Sequence, residues 1–316
     1  MNISGLLNLF ESLPAYRALR DDLNAGIAPS PLGLLRAARP ALLAALDRDL
    51  NRPLLVVAGS VDRARSLTGA LRDWATDSSS VTSFPEPSAL FYERAAWTED
   101  AIIGRLRVLL DLYADATVSP ESTGDGVRTR RRFVVASVRA LMQRTIPLRQ
   151  FRMSVREMHV GQVLDLEQAL YRWSGLGYEP TSVVELPGQF SHRGGILDIY
   201  PPADKVPVRI ELFGSEIESI RRFDPATQRS GERVESVTIT PAREALPRHG
   251  PRVAERVAAL LAKNLPLDAR VELETHHQGL SSATPFPGIE FYLPHFYSES
   301  ASLLDYMPAD ALIVVD

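Results

Sequence analysis

The sequence predicts an α/β protein: a parallel α/β domain accompanied by an α+β module built on an antiparallel sheet. Three observations predict it. Short apolar runs alternate with helical patterns between about residues 40 and 136, the order that gives parallel strands joined by helical crossovers. From Pro187 to Ser230, runs of β-branched and aliphatic residues are separated by Gly, Pro and charge clusters, as in an antiparallel sheet with tight turns. The segment Ala311 to Asp316, ALIVVD, is an apolar strand ending in an acid.

Taken in order, an apolar first helix carries Leu6, Leu7 and Phe10. From Gly33 to Asp49 the pattern is a glycine turn and then a helix entered at Pro40, where a missing N–H has no intrahelical partner to lose. Leu42, Leu43, Leu46 and Leu50 recur at helical spacing. A buried strand (Leu54 to Val57), a Gly59-Ser60 turn and a helix presenting Leu67, Leu71 and Trp74 follow. A strand near Val81 to Phe84, a helix from about Glu99 to Tyr113 and a strand from Phe133 to Ala136 continue the alternation. Between the last two lies a loop ending in Arg128, Arg130, Arg131 and Arg132, which reads either as a solvated charge run or as a contact for DNA phosphates.

From Phe151, FRMSVREM alternates as a strand does. A helix then opens with Asp165 and Gln168 at capping-box spacing, presents Leu166, Leu170 and Trp173, and ends at Gly175, with Gly177 reversing the chain. In the β module Val208, Ile210 and Leu212 share one face while Arg209 and Glu211 take the other. Gly214-Ser215 closes a hairpin onto Glu216 to Phe223, Asp224-Pro225 opens another turn, and Val237 to Ile239 offers a further strand. Beyond Pro241 come a helix (Val253, Val257, Leu260, Leu261), a proline-containing loop, GIEFYLPHFY and the helix-like ASLLDYM.

Composition bounds the function. With 316 residues, two or three domains are expected. The absence of cysteine excludes disulfides, zinc ribbons, cysteine-ligated clusters and a thiol nucleophile. No apolar run reaches the length of a membrane span, and MNISGLLNLFESLP lacks a basic n-region, so a cytoplasmic protein without membrane partners is expected. A net charge of -4 opposes wholesale electrostatic binding to nucleic acid. His192, the His276-His277 pair and His295 lack zinc spacing, so no metal is expected. Ser191 and His192 are neighbours in a strand and point to opposite faces, which rules out a nucleophile–base pair; no catalytic constellation emerges.

A parallel sheet invites a nucleotide reading, yet GxxxxGK[ST] is absent. The nearest candidate begins at Gly33 and places Ala38, Arg39 and Pro40 where Gly, Lys and Ser/Thr are needed. Pro40 cannot ligate magnesium, and Ala38 adds a methyl where the backbone must pass close to phosphate, whereas Arg39 can still fork onto an anion. Asp316, at the usual place of a magnesium-coordinating acid, is left an orphan. No cofactor is expected in this chain.

FSHRGGILDIYPP, PVRIELFGSEIESIRRFDPATQRS and TPARE together resemble the second domain of the bacterial transcription-repair coupling factors (Mfd), a module shared with UvrB. NRPLLVV, FPEPSALFYER, GRLRVLLDLY, VVASVRALMQR, GIEFYLPHFY and LLDYMPADALIVVD are similar to the same family in the same order. The degenerate loop and the short connection from Phe91-Tyr92 to Glu99 favour the coupling factors over UvrB, which has an intact phosphate loop and a long DNA-clamping hairpin. The resemblance implies a UvrB-like first domain over 1–150 with a degenerate nucleotide fold, a UvrA-docking second domain over 151–245, and a segment 246–316 completing the first. It also implies that contacts with RNA polymerase and an ATP-driven translocase acting on double-stranded DNA lie beyond residue 316. In the shared module arginines beside the RGG-like turn contact UvrA. Arg193 matches one of them directly, Ser191 and Pro180 stand where two others are found, and Phe190 and His192 are weaker candidates. The expectation is a non-catalytic adaptor that recruits UvrA to stalled polymerase; the alternative is a UvrB-like damage-recognition module with DNA binding or ATP hydrolysis.

Overall fold

The computed structural model describes residues 2–50, 52–87, 95–117 and 133–316. The Arg128, Arg130, Arg131 and Arg132 loop and the Phe91-Tyr92 connection lie outside the described residues. The chain opens with a 3-10 helix, Ser4–Ser12, and helix α1 (Pro14–Asn24), with Pro14 at its first position. Helix α2 (Arg39–Leu50) and strand β1 (Leu54–Ala58) precede α3 (Val61–Trp74), whose N-cap Ser60 accepts the Arg63 amide at 3.2 Å. Strand β2 (Val81–Phe84), helix α4 (Glu99–Thr117), strand β3 (Phe133–Ser137) and the short α5 (Val138–Met142) follow. Next come α6 (Leu148–Ser154), β4 (Arg156–His159), α7 (Leu166–Gly175), β5 (Glu179–Pro180), β6 (Gln189–Arg193) and β7 (Ile196–Ile199). Strands β8 (Val208–Phe213), β9 (Glu216–Phe223), β10 (Ser230–Val234) and β11 (Ser236–Ile239) lead to α8 (Gly250–Leu261), α9 (Leu267–Ser281), α10 (Leu293–Phe296) and β12 (Leu312–Val315).

The chain divides into two compact units, one of residues 1–86, 111–143 and 306–316 and one of residues 87–110 and 144–305. In the first, the described strands form a parallel sheet in the order β12-β1-β3-β2. Strands β1 and β3 are buried at every position, which is why both read as continuous apolar runs. Leu54 stands beside Phe133 on one side and Leu312 on the other, so the strand at the end of the sequence completes the sheet next to β1. Leu46, Leu54, Val56, Leu67, Leu71 and Phe133 close one core with Leu7 and Tyr16. Each leucine wholly withdrawn from water contributes about 1.5–3 kcal/mol.

In the second unit the main sheet has the order β10-β9-β8-β7-β6-β5, antiparallel except where β5 runs beside β6. Phe190, Leu197, Ile210 and Ile220 are buried, and Trp173 of α7 meets Phe190 edge-on at 5.6 Å. Val208 and Ile210 are buried and Arg209 and Glu211 half-buried, as the alternation predicts, until an irregularity after Glu211 leaves Leu212 only half-buried. Gly214 has φ +62° and Phe213 pairs with Glu216, the two-residue turn expected. The Asp224 carboxylate accepts the amides of Ala226 and Thr227 at 2.8 and 2.9 Å, which fixes the next turn. A separate cluster joins Val253, Val257, Leu280, Ile289, Leu293 and Phe296. Among the described residues no helix is long and apolar enough to cross a membrane.

Several elements depart from the sequence reading. FRMSVREM is a strand only from Arg156; Leu148–Ser154 is helical, because Pro147 supplies the N-cap and Phe151 and Ser154, three apart, turn inward together. Helix α9 occupies the predicted proline-containing loop. Leu280 is its one buried residue, so it carries no apolar stripe for periodicity to reveal. Helix α1 was likewise not predicted, and Gly33 lies in irregular backbone rather than a turn. Strand β11 pairs with β4 in a two-stranded sheet of its own, while β10 is the strand that extends the main sheet beyond β9. Residues 246–305 belong to the second unit, and only 306–316 of the expected third segment join the first.

Candidate partner-binding surface

Strand β6 alternates across the sheet. Phe190 is 5% exposed and packs on Trp173, and Ser191 is 4% exposed opposite Asp198, so neither presents surface to a partner. The position of the second arginine of the related module is thus a buried serine in this chain. Asp198 is itself buried and receives the Arg209 guanidinium in a two-point contact, 2.8 Å at each oxygen. Beyond Ser191 the chain emerges. His192 Nε2 lies 2.7 Å from the Gly194 carbonyl oxygen and donates to it, bracing the turn into β7. Gly194 has φ +59°, and a Cβ on Gly195 would sit 3.0 Å from the Leu212 carbonyl oxygen, so both glycines have a steric reason. Leu212 N–H donates to Gly195 O at 2.8 Å and ties the turn to β8.

Arg193 is the last residue of β6 and is exposed; among the described residues it forms no ion pair or side-chain hydrogen bond. Of the four residues predicted for the contact, the structure exposes Arg193 and His192 and buries Phe190 and Ser191. Pro180 is exposed in β5, in register with Phe190. The Asp198–Arg209 pair escaped the sequence reading, because register decides that residues on different strands meet, and register is not written in local pattern.

The second predicted location, in the first unit, is rearranged. Gly33 and Ala38 lie between α1 and α2, Arg39 and Pro40 open α2, and none of the four follows a strand, whereas a phosphate loop joins a strand to a helix N-terminus. The strand-to-helix turn beside β12 is Gly59-Ser60, between β1 and α3. Asp316 is not an orphan. Its amide donates to Val57 O at 2.9 Å, and its carboxylate receives Arg63 Nε at 2.5 Å, Arg63 Nη2 at 2.7 Å and Arg39 Nη1 at 3.0 Å. Hydrogen bonding to Arg63, reinforced by Arg39 and opposed by burial, pulls the Asp316 carboxyl down to about 2. Arg63 was not singled out from sequence; its place three residues beyond the N-cap Ser60, in the first turn of α3, is a signal that could have found it. The cleft beside Arg39 and Asp316 is lined by Leu19, Leu34, Leu42, Leu312 and Val314, an apolar lining poorly suited to a triphosphate.

Residues 157–244 match the UvrB interaction domain, so the hairpin carrying Arg193 lies within the matched segment. The chain is 31% identical over 312 residues to the transcription-repair-coupling factor of Bacillus subtilis, covering 95% of this chain and 25% of the relative. It is 34% identical over 310 residues to that of Myxococcus xanthus, 94% of this chain and 24% of the relative. A Haemophilus influenzae protein of the same name matches at 27% over 239 residues. The chain spans about a quarter of the length of the first two relatives.

Proposed function

This chain belongs with the transcription-repair-coupling factors and carries a UvrB interaction domain, and from that premise we propose that it is a docking region that recruits UvrA, without catalysis of its own. The observation that carries the reading is Arg193: exposed, without a side-chain partner among the described residues, and placed at a glycine turn inside the matched domain. An exposed guanidinium at the end of a paired strand is suited to a carboxylate on another protein. RNA polymerase and double-stranded DNA are partners of the whole coupling factor in this reading, and no nucleotide cofactor acts in this chain. The Arg39–Asp316–Arg63 cluster supports the last point, since the acid that would handle magnesium is committed to two arginines.

Titration of this chain against purified UvrA tests the reading. Arg193→Ala should weaken binding by about tenfold or more. Its melting temperature should stay within about two degrees, because exposed substitutions alter stability by under about 0.5 kcal/mol. Failure of the parent chain to bind UvrA, or ATP turnover above background that is lost in Arg39→Ala, overturns the adaptor reading.

A further inference from the structure

The arginines of the second unit are used in two ways. Arg105, Arg209 and Arg243 are committed to the buried carboxylates of Glu244, Asp198 and Glu290. Arg149, Arg152, Arg156, Arg172 and Arg248 form no ion pair among the described residues. The segment 144–156 holds four arginines and no acid, in a chain whose net charge is -4. Tertiary structure brings this segment to two further cations. Arg248 Nη2 donates to Ser154 Oγ at 2.8 Å, at the end of α6. A Cβ on Gly175, the last residue of α7, would lie 3.2 Å from the Arg248 Cβ, so the end of α7 rests against the same side chain. Arg156 stands two residues beyond Ser154, and Arg172 stands three before Gly175. Burial holds the Arg248 guanidinium below its ordinary value, and the like charges of Arg172 and Arg156 push it the same way against the opposing effect of Tyr297. Arg149, Arg152, Arg156 and Arg172 are exposed, and Arg248 is half-buried.

We propose that this strip, running from α6 across β4 to α7, is a phosphate-binding surface that docks on the backbone of duplex DNA. A guanidinium presents a rigid fork that matches phosphate oxygens, and clustered charge of one sign draws in polyanions. Protein interfaces deplete charge at their centres, whereas nucleic-acid interfaces are strongly positive, and an acid-free run of arginines fits the second kind. The four exposed arginines occupy three elements, so they offer a line of separate contacts, which suits a backbone that repeats its charge. Arg248, braced by Ser154, adds fixed positive charge beside them. The net charge of -4 confines the attraction to this local surface, so binding is modest and depends steeply on salt. The inference stands apart from the UvrA-docking reading and uses none of the residues assigned to it.

Fluorescence anisotropy of a labelled DNA duplex, titrated with this chain at about 50 mM salt and upward, tests the proposal. The parent chain should bind with a Kd on the order of 1–100 μM at the lowest salt, and log K should fall with log salt at a slope of roughly −3. Arg156→Ala and Arg172→Ala should each make that slope shallower by about one, with the same loss on duplexes of different sequence. Arg152→Glu/Arg156→Glu should weaken binding by about tenfold or more, while the same charge change at exposed Arg17 and Arg65 of the first unit, Arg17→Glu/Arg65→Glu, should stay within about threefold of the parent. Circular dichroism and melting curves on every variant separate lost contacts from lost folding. A parent chain that does not bind the duplex at the lowest salt, or folded strip variants that bind as the parent does, overturn the proposal. DNA binding that is lost in Arg130→Ala/Arg131→Ala/Arg132→Ala and kept in the strip variants assigns the contact to that loop and overturns it as well. UvrA affinity that falls in Arg156→Ala and Arg172→Ala while DNA affinity is unchanged makes the strip a protein surface, with the same consequence.

Discussion

Replacing Arg105 by Met should unfold much of the second unit's stability, and the reason lies in one buried ionic network. Arg105 is wholly buried and Glu244 1% exposed. The guanidinium Nε donates to Glu244 Oε1, and Nη2 reaches Glu244 Oε2 at 3.3 Å and the Arg144 carbonyl at 3.2 Å. The same carboxylate accepts the Thr145 hydroxyl and, at 3.3 Å, the Ile146 amide, while the guanidinium carbon lies 5.0 Å from the centre of the Trp97 ring. Methionine keeps much of the volume but strands a carboxylate in the interior. Removing one partner of such a pair costs about 3–5 kcal/mol. With a urea slope of about 3 kcal/mol/M, the midpoint should fall by roughly 1 to 1.7 M with the slope unchanged. The double variant Arg105→Met/Glu244→Gln, which removes the charge and keeps an acceptor for Thr145 and Ile146, should recover at least about half of that loss. A single variant that costs less than about 1 kcal/mol, or a double variant no more stable than the single, would refute the claim that an uncompensated buried charge is the cause.

Asp316→Asn should lower stability at neutral pH and flatten the acid limb of the stability curve. The folded carboxyl lies at about 2, below its unfolded value of about 3.9, so its contribution is present above about pH 4 and is lost as pH falls towards 2. With Arg39 about a third exposed, the effect at pH 7 should be about 1–2 kcal/mol, read by urea melts at pH 7 and pH 2.5. His249 is held at about 4 by burial and by Arg248 and Arg252, so the unfolded chain binds its proton first; stability should fall by about 2 kcal/mol between pH 7.5 and 5, and His249→Gln should remove that slope. Gly250→Ala should destabilise by about 1–3 kcal/mol, measured by thermal melting, because the new Cβ would lie 2.5 Å from the Leu280 carbonyl oxygen, a backbone atom that cannot swing aside.

Much of the architecture was legible in the residues. The strands over 54–57, 81–84 and 133–136, the hairpin at Gly214, the turn at Asp224 and the Asp165 cap all appear where local chemistry puts them, since each is decided within a few residues by burial pattern, positive φ or a capping oxygen. The exposed place of Arg193 beside its two glycines was legible as well. Tertiary structure alone decided the rest. Helix α9 carries no apolar stripe, and the residues around Phe151 follow a strand period that inward packing overrides. Asp316 finds Arg63 only because β12 aligns beside β1, some 250 positions away in sequence. Strand register likewise lines up Arg209, Arg221 and Arg233, which in sequence are separated charges on three strands. A one-residue slip would send the side chains of a strand to the opposite face, so which charges share a surface is a property of pairing between strands that only the folded sheet supplies.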